Sequence, residues 1–261
     1  MGMAMSATPI DLAFPDDAGG DPLELRIALG PCRVRIGAGT GPLWATGRYD
    51  DPTGVLPLQV TQEGHRARIS QSPTARSMPS STRPPSLELQ LGTARPYQLE
   101  IDGGANETVA DLGGIPLLRL VFRHGAGKSD VDFSRPNPAD MAAIEISAGG
   151  VAMDLRNLAN ANFAEMTVSG GAAQYRVDFG GELRRDGEVK LNAGVASVEV
   201  RLPAATPARV RSESLLGALD VGDGFMTREG AYWNEGAAAG RTPMLHVAIN
   251  SVLGAVTVRS T

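Results

Sequence analysis

The string Gly125-Ala126-Gly127-Lys128-Ser129 is the stretch of this chain that comes nearest to a phosphate-binding loop. Such a loop needs G-x-x-x-x-G-K-[ST] between a strand and a helix, so that backbone N–H groups and the helix N-terminus surround the anion. Five positions before Gly127 stands Phe122, and Val131-Asp132-Phe133 continues as strand. The string is therefore expected to be a turn. His65, His124 and His246 lack metal-ligand spacing, so each is expected at the surface or satisfied by neighbours. Cys32 stands alone, which excludes an intrachain disulfide and a cysteine zinc cluster. Its alternating surroundings predict a buried, inert thiol. Asn106-Glu107-Thr108 is a glycosylation triplet with no secretory signal before it. No catalytic, cofactor-binding or metal-ligating residue is assigned.

Asp130, Asp132, Asp154, Asp178 and Glu199 alternate with apolar residues, which predicts that they face solvent. In some parallel β-helix enzymes, outward acids on adjacent coils attack acidic polysaccharides, and carboxyls ~5–9.5 Å apart suit acid/base work on a glycosidic bond. A carbohydrate-active β-helix enzyme is accordingly the alternative function. Against it, Asp132, Arg156, Asp178 and Arg201 recur at one repeat position. Coils stacked ~4.8 Å apart would turn that column into an ion-pair ladder. Aromatic residues, which sugar sites use for stacking, are only 5% of the chain. Tyr232-Trp233 stands out for that reason, in a long excursion over 222–243. The pair is a candidate partner-binding anchor. Its simpler role is to cover the apolar end of a stack.

These residues need a frame, and the frame is a repeat. The triplets Leu25-Arg26-Ile27, Leu99-Glu100-Ile101, Leu120-Val121-Phe122, Ile144-Glu145-Ile146, Met166-Thr167-Val168 and Val189-Lys190-Leu191 each precede a glycine by three residues. Those glycines are Gly30, Gly104, Gly125, Gly149, Gly171 and Gly194, and from Gly104 onward they are 21, 24, 22 and 23 residues apart. A constant period of this length marks stacked units that bury their faces against one another. Each unit reads as strand, tight glycine turn, strand and return loop, with glycine supplying a positive φ. The pattern persists in RVRSESLLGALDV (209–221) and LHVAINSVLGAVTV (245–258), where the glycine moves to Gly217 and Gly254. The predicted fold is all-β, with short strands stacked in a right-handed parallel β-helix-like solenoid.

Residues 1–20 are expected to be a disordered tail, and 21–96 a β region holding a flexible Ser/Pro-rich loop at 71–86. Residues 97–261 carry the repeat and continue the same domain. A hairpin is expected around Glu63-Gly64, and no long amphipathic helix anywhere. The net charge of −5 argues against a nucleic-acid partner. No run approaches the ~18 apolar residues of a membrane span. The start lacks a signal peptide, so the expected location is cytoplasmic, or the envelope if a leader or anchor has been removed.

The segments LELRIALGPCRVRIGAG, LGGIPLLRLVFRHGAGKSDVDF, FMTREGAYWNEG and LHVAINSVLGAVTVRS together resemble the toast-rack proteins. These are bacterial domains akin to cell-wall-active-antibiotic response proteins and candidate adhesins. The resemblance spans roughly residues 23–261. It implies a non-enzymatic β-stack that serves as a scaffold or binds a protein partner, linked to envelope stress or adhesion. Members often carry transmembrane helices or an export signal, and neither is seen here.

Overall fold

The computed structural model describes residues 7–16, 22–72 and 83–261. Seven short strands come first: β1 (Thr8–Leu12), β2 (Leu23–Leu29), β3 (Arg33–Ala38), β4 (Ala45–Asp50), β5 (Leu58–Glu63), β6 (Arg66–Gln71) and β7 (Ser86–Leu91). Long strands follow: β8 (Tyr97–Asp111), β9 (Leu117–Asp132), β10 (Met141–Arg156), β11 (Phe163–Asp178), β12 (Gly187–Leu202) and β13 (Ala208–Val221). A small hairpin, β14 (Phe225–Arg228) and β15 (Ala231–Asn234), precedes the last long strand, β16 (Leu245–Ser260). Among the described residues helix is confined to single turns at Leu158–Ala161 and Glu235–Ala238.

All sixteen strands join one sheet, and the long ones pair in parallel. This is the all-β stack that the repeat predicts. Its register follows from the apolar triplets, because parallel neighbours bring equivalent residues side by side. Ala67, Leu25, Leu99, Leu120, Ile144, Met166, Val189, Val247 and Val210 form one column. All nine are buried.

The glycines act differently from expectation. From Gly104 to Gly194 there is no tight turn at the repeat glycine and each long strand runs through it, whereas at Gly30 the chain bends between β2 and β3. On β12, Val189, Leu191 and Ala193 are buried, then Ala196, Val198 and Val200. The parity switches because Gly194 and Val195 lie consecutively outside the core. Two outward residues in a row form a corner, so both halves of the strand turn their apolar sides to one core. None of Gly104, Gly125, Gly149, Gly171 and Gly194 has a positive φ. What requires glycine is close stacking: a Cβ on Gly149 would lie 2.4 Å from the carbonyl oxygen of Gly125.

The ends depart from a simple succession of coils. Residues 8–12, expected within the tail, form β1 against β4, because Ile10 and Leu12 alternate into the core. The loop expected at 71–86 falls mostly on 73–82, outside the described residues. The hairpin at Gly64 forms from β5 and β6. At the other end β16 enters between β12 and β13, pairing in parallel with both. The chain therefore skips a position after β12 and fills it last, which leaves β13 as the terminal coil.

Candidate functional site

The terminal coil β13 carries the features that set this end apart. Hairpin β14–β15 turns at Glu229-Gly230, both left-handed with φ of 52° and 69°. It pairs with β13 at two positions only, Val210 with Tyr232 and Arg209 with Trp233. Neighbouring strand residues point to opposite faces, so the two aromatics separate. Tyr232 packs half-buried against the core. The Trp233 ring has the Arg209 guanidinium carbon 5.2 Å and that of Arg228 5.9 Å from its centre, the geometry of cation–π contact. Its indole N–H donates to the Arg228 carbonyl at 3.2 Å.

Asn234, fully buried, secures the hairpin. Its Oδ1 accepts from the N–H groups of Ala208 at 3.0 Å and Ala237 at 3.1 Å, and its Nδ2 donates to the Thr206 carbonyl at 2.7 Å. Asn137 does similar work, with Nδ2 donating to the carbonyls of Leu117 and Ala161. The sequence reading missed these loop asparagines. A signal existed: Asn137 and Asn160 lie one repeat apart, at 23 residues.

An apolar ridge runs along the corner toward the same end. Val195, Leu253 and Leu216 are adjacent in register and exposed at 58%, 45% and 72%, with Val252 beside them at 55%. Toward the N-terminal end the same column holds only Ala172, Gly150, Ala126 and Ala105. Beyond Val210 the outer edge of β13 has no strand partner among the described residues.

The outward carboxylates lie where the alternation places them. Asp132, Arg156, Asp178 and Arg201 are consecutive in one column, flanked by Asp111 and Arg259. Arg156 reaches Asp132 at 3.4 Å, Lys128 reaches Asp130 at 3.1 Å, and Arg201 turns sideways to Glu199 at 2.8 Å. Asp178 is pushed up from the usual carboxylate range by burial and by the charges of Asp154 and Asp132. Of the three ion contacts only that of Arg156 with Asp132 crosses from one coil to the next, and neither this column nor the adjoining one of Val109, Asp130, Asp154, Arg176, Glu199, Thr257 and Asp220 contains an aromatic residue.

Gly125 to Ser129 is strand within β9 instead of a turn, and Ser129 is fully buried. The Ser129 hydroxyl meets Nδ1 of His124, whose Nε2 lies 3.1 Å from the Asn106 carbonyl oxygen. A carbonyl only accepts, so Nε2 carries the proton and Nδ1 accepts from serine. Burial holds His124 below its ordinary pKa. Asn106 itself is buried, which leaves its glycosylation triplet no room for a glycan. The Cys32 thiol is pushed up to about 12 by burial, which makes it a poor nucleophile. Among the described residues no group of three or more His, Cys, Asp or Glu could hold a metal ion. Nor is any helix there long and apolar enough to cross a membrane.

No family model and no curated protein matches the chain. Solved structures with a similar trace include a candidate cell-adhesion protein from Clostridium sporogenes, at 14% identity and a TM-score of 0.48. That match covers 98% of this chain and 99% of the other. A candidate adhesin from Bacteroides fragilis follows at 7% identity and 0.39, covering 98% of each. Neither likeness is close enough to carry a residue's role from one chain to the other.

Proposed function

We propose that this chain is a non-enzymatic scaffold that binds a protein partner through the free end of its stack, with Trp233 as anchor and Tyr232 as its support. The observation that carries the reading is the Trp233 ring on the terminal hairpin with the guanidinium carbons of Arg209 and Arg228 at 5.2 and 5.9 Å from its centre. Tryptophan and arginine dominate binding hot spots because they bury large areas and offer charge at the rim. An apolar plate flanked by two cations fits an acidic segment of a protein. The non-enzymatic half of the reading is supported by the outward acids, several of which meet arginine or lysine. A place at the bacterial envelope, in adhesion or in a stress response, accords with the toast-rack resemblance of the sequence. The test is retention of envelope proteins on immobilised chain, wild type against Trp233→Ala. A specific partner should be held by the wild type and bound about 30-fold more weakly by the variant, the size of a hot-spot loss. Equal retention by both would refute the anchor.

A further inference from the structure

We infer that two copies of this chain associate corner to corner, their stacks antiparallel about a two-fold axis. This goes beyond partner capture by Trp233 and rests on different residues. The corner is the line along the stack where each coil passes from its first wall to its second. It crosses eight strand positions, in the order β2–β3, β8, β9, β10, β11, β12, β16 and β13. Seven steps of ~4.8 Å make it about 34 Å long.

Side-chain size changes abruptly along this line. From β2–β3 to β11 the corner residues are Gly30-Pro31, Gly104-Ala105, Gly125-Ala126, Gly149-Gly150 and Gly171-Ala172. At the last three positions stand Val195, Val252, Leu253 and Leu216, all exposed. Glycine and alanine suffice for a bare corner, so a cluster of exposed valine and leucine marks a contact. Beside the small-residue half runs a trough of about 710 Å³, lined by Gly104, Gly125 and Gly149. On the opposite flank a hollow of about 370 Å³ is lined by Pro31, Ala105 and Ala126. The corner therefore carries a ridge at one end and room for a ridge at the other.

Reversing a second copy about an axis across the middle of the line sets each end against the other. With the axis between β10 and β11, Leu216 meets the second copy's Gly30-Pro31. Val252 and Leu253 then meet its Gly104-Ala105, and Val195 its Gly125-Ala126. Two copies of net charge −5 repel overall, so the contact must be free of like charges. On one flank Glu213 faces Ala28, Asn250 faces Asp102, Asn192 faces Arg123 and Ser169 faces Ser147. On the other, Ala218 faces Arg33, Ala255 faces Glu107, Ser197 faces Lys128 and Gln174 faces Ala152. Every charged residue of these rows meets a neutral one. An axis on β11 would set Glu213 against Asp102 twice, and one on β10 would carry Leu216 past Gly30-Pro31.

The ends leave room for this arrangement. Hairpin β14–β15 meets β13 only at Arg209 and Val210, short of the corner at 215–216. Each copy's β4 to β7 end therefore overhangs the other's terminal coil where the corner carries no further strand. A two-fold contact of one face with itself closes after two copies, so growth stops at the dimer.

Sedimentation of the full chain from about 1 to 100 μM covers the range over which a contact of this kind assembles. A concentration-dependent species of twice the 27.2 kDa chain mass is expected. Leu253→Glu should weaken it at least about 10-fold, because symmetry buries the new charge twice. Ala105→Trp should weaken it as much by filling the seat of Leu253, although it adds apolar surface. Val109→Asp, at an exposed apolar site outside the corner, should leave it unchanged. Should either corner variant fail to fold, a crosslink supplies the reading. The double variant Ala105→Cys with Leu253→Cys should form a covalent dimer under mild oxidation of dilute protein, and neither single variant should. The native Cys32 is buried and takes no part. Trp233→Ala should dimerise normally, which separates this contact from partner capture. A monomer throughout, open-ended oligomers, a dimer indifferent to Leu253→Glu or strengthened by Ala105→Trp, one lost with Val109→Asp or Trp233→Ala, or no crosslink would each overturn the proposal.

Discussion

His124 shows what one buried titratable group does to a stack of apolar columns. In the neutral ring Nε2 donates to the Asn106 carbonyl and Nδ1 accepts from Ser129, and it is burial that disfavours the charged form. Burial lowers its pKa in the folded chain relative to the ordinary value of 6.5. The unfolded chain therefore binds the proton more readily. The contribution of His124 to stability is full above about pH 6.5 and is lost as pH falls from there toward the folded pKa. Chemical denaturation at about pH 8 and pH 5.5 should show a larger loss for wild type than for His124→Gln, which cannot take up a proton. Identical losses would mean that the ring is not held neutral.

At the scale of the element, the corner of each long strand is governed by how closely its neighbour approaches. Gly149 and Gly171 occupy the same column in adjacent strands. A Cβ on Gly149 would press against the Gly125 carbonyl at 2.4 Å, whereas one on Gly171 would have nothing nearer than 3.9 Å. Backbone cannot swing aside as a side-chain tip can. Gly149→Ala should therefore cost about 1–3 kcal/mol, the usual range for overpacking. Gly171→Ala should be near neutral, or slightly stabilising through the less flexible unfolded chain. Equal effects in denaturant titrations would contradict the stacking role. A glycine needed only for a turn would show no such contrast between these two sites.

For the whole molecule, the order of the strands in the sheet differs from their order along the sequence. β16 is the last strand of the chain and lies between β12 and β13. Without it β13 loses its parallel neighbour, and the hairpin bearing Trp233 loses its support. A chain ending at Pro243 should keep hydrogen-exchange protection in β8 to β11 and lose it across β13 and β15, because stacked units depend on nearest neighbours. Protection surviving in β13 would show that the hairpin alone can hold the terminal coil.

Much of this was legible in the amino-acid order. Alternation within Ile144-Glu145-Ile146 and its counterparts decides which side chains enter the core, because a strand exposes every second residue to each face. The near-constant interval between units decides that Ile146 stacks on Phe122 and Val168, and that Asp132, Arg156, Asp178 and Arg201 line up. Both are local properties: parity along a strand, and equal lengths of chain between strands. Three features needed the folded chain. The role of Gly149 depends on a carbonyl of another coil, and a glycine spared for close packing reads the same as one chosen for a turn. His124 finds Ser129 only because the corner between them reverses the strand's inward parity. The insertion of β16 has no signature of its own, since a parallel edge accepts any strand of matching alternation. Which strand fills a slot depends on the closure of distant loops and on the cover left for each end. Those are energies of the assembled stack, carried by no single segment.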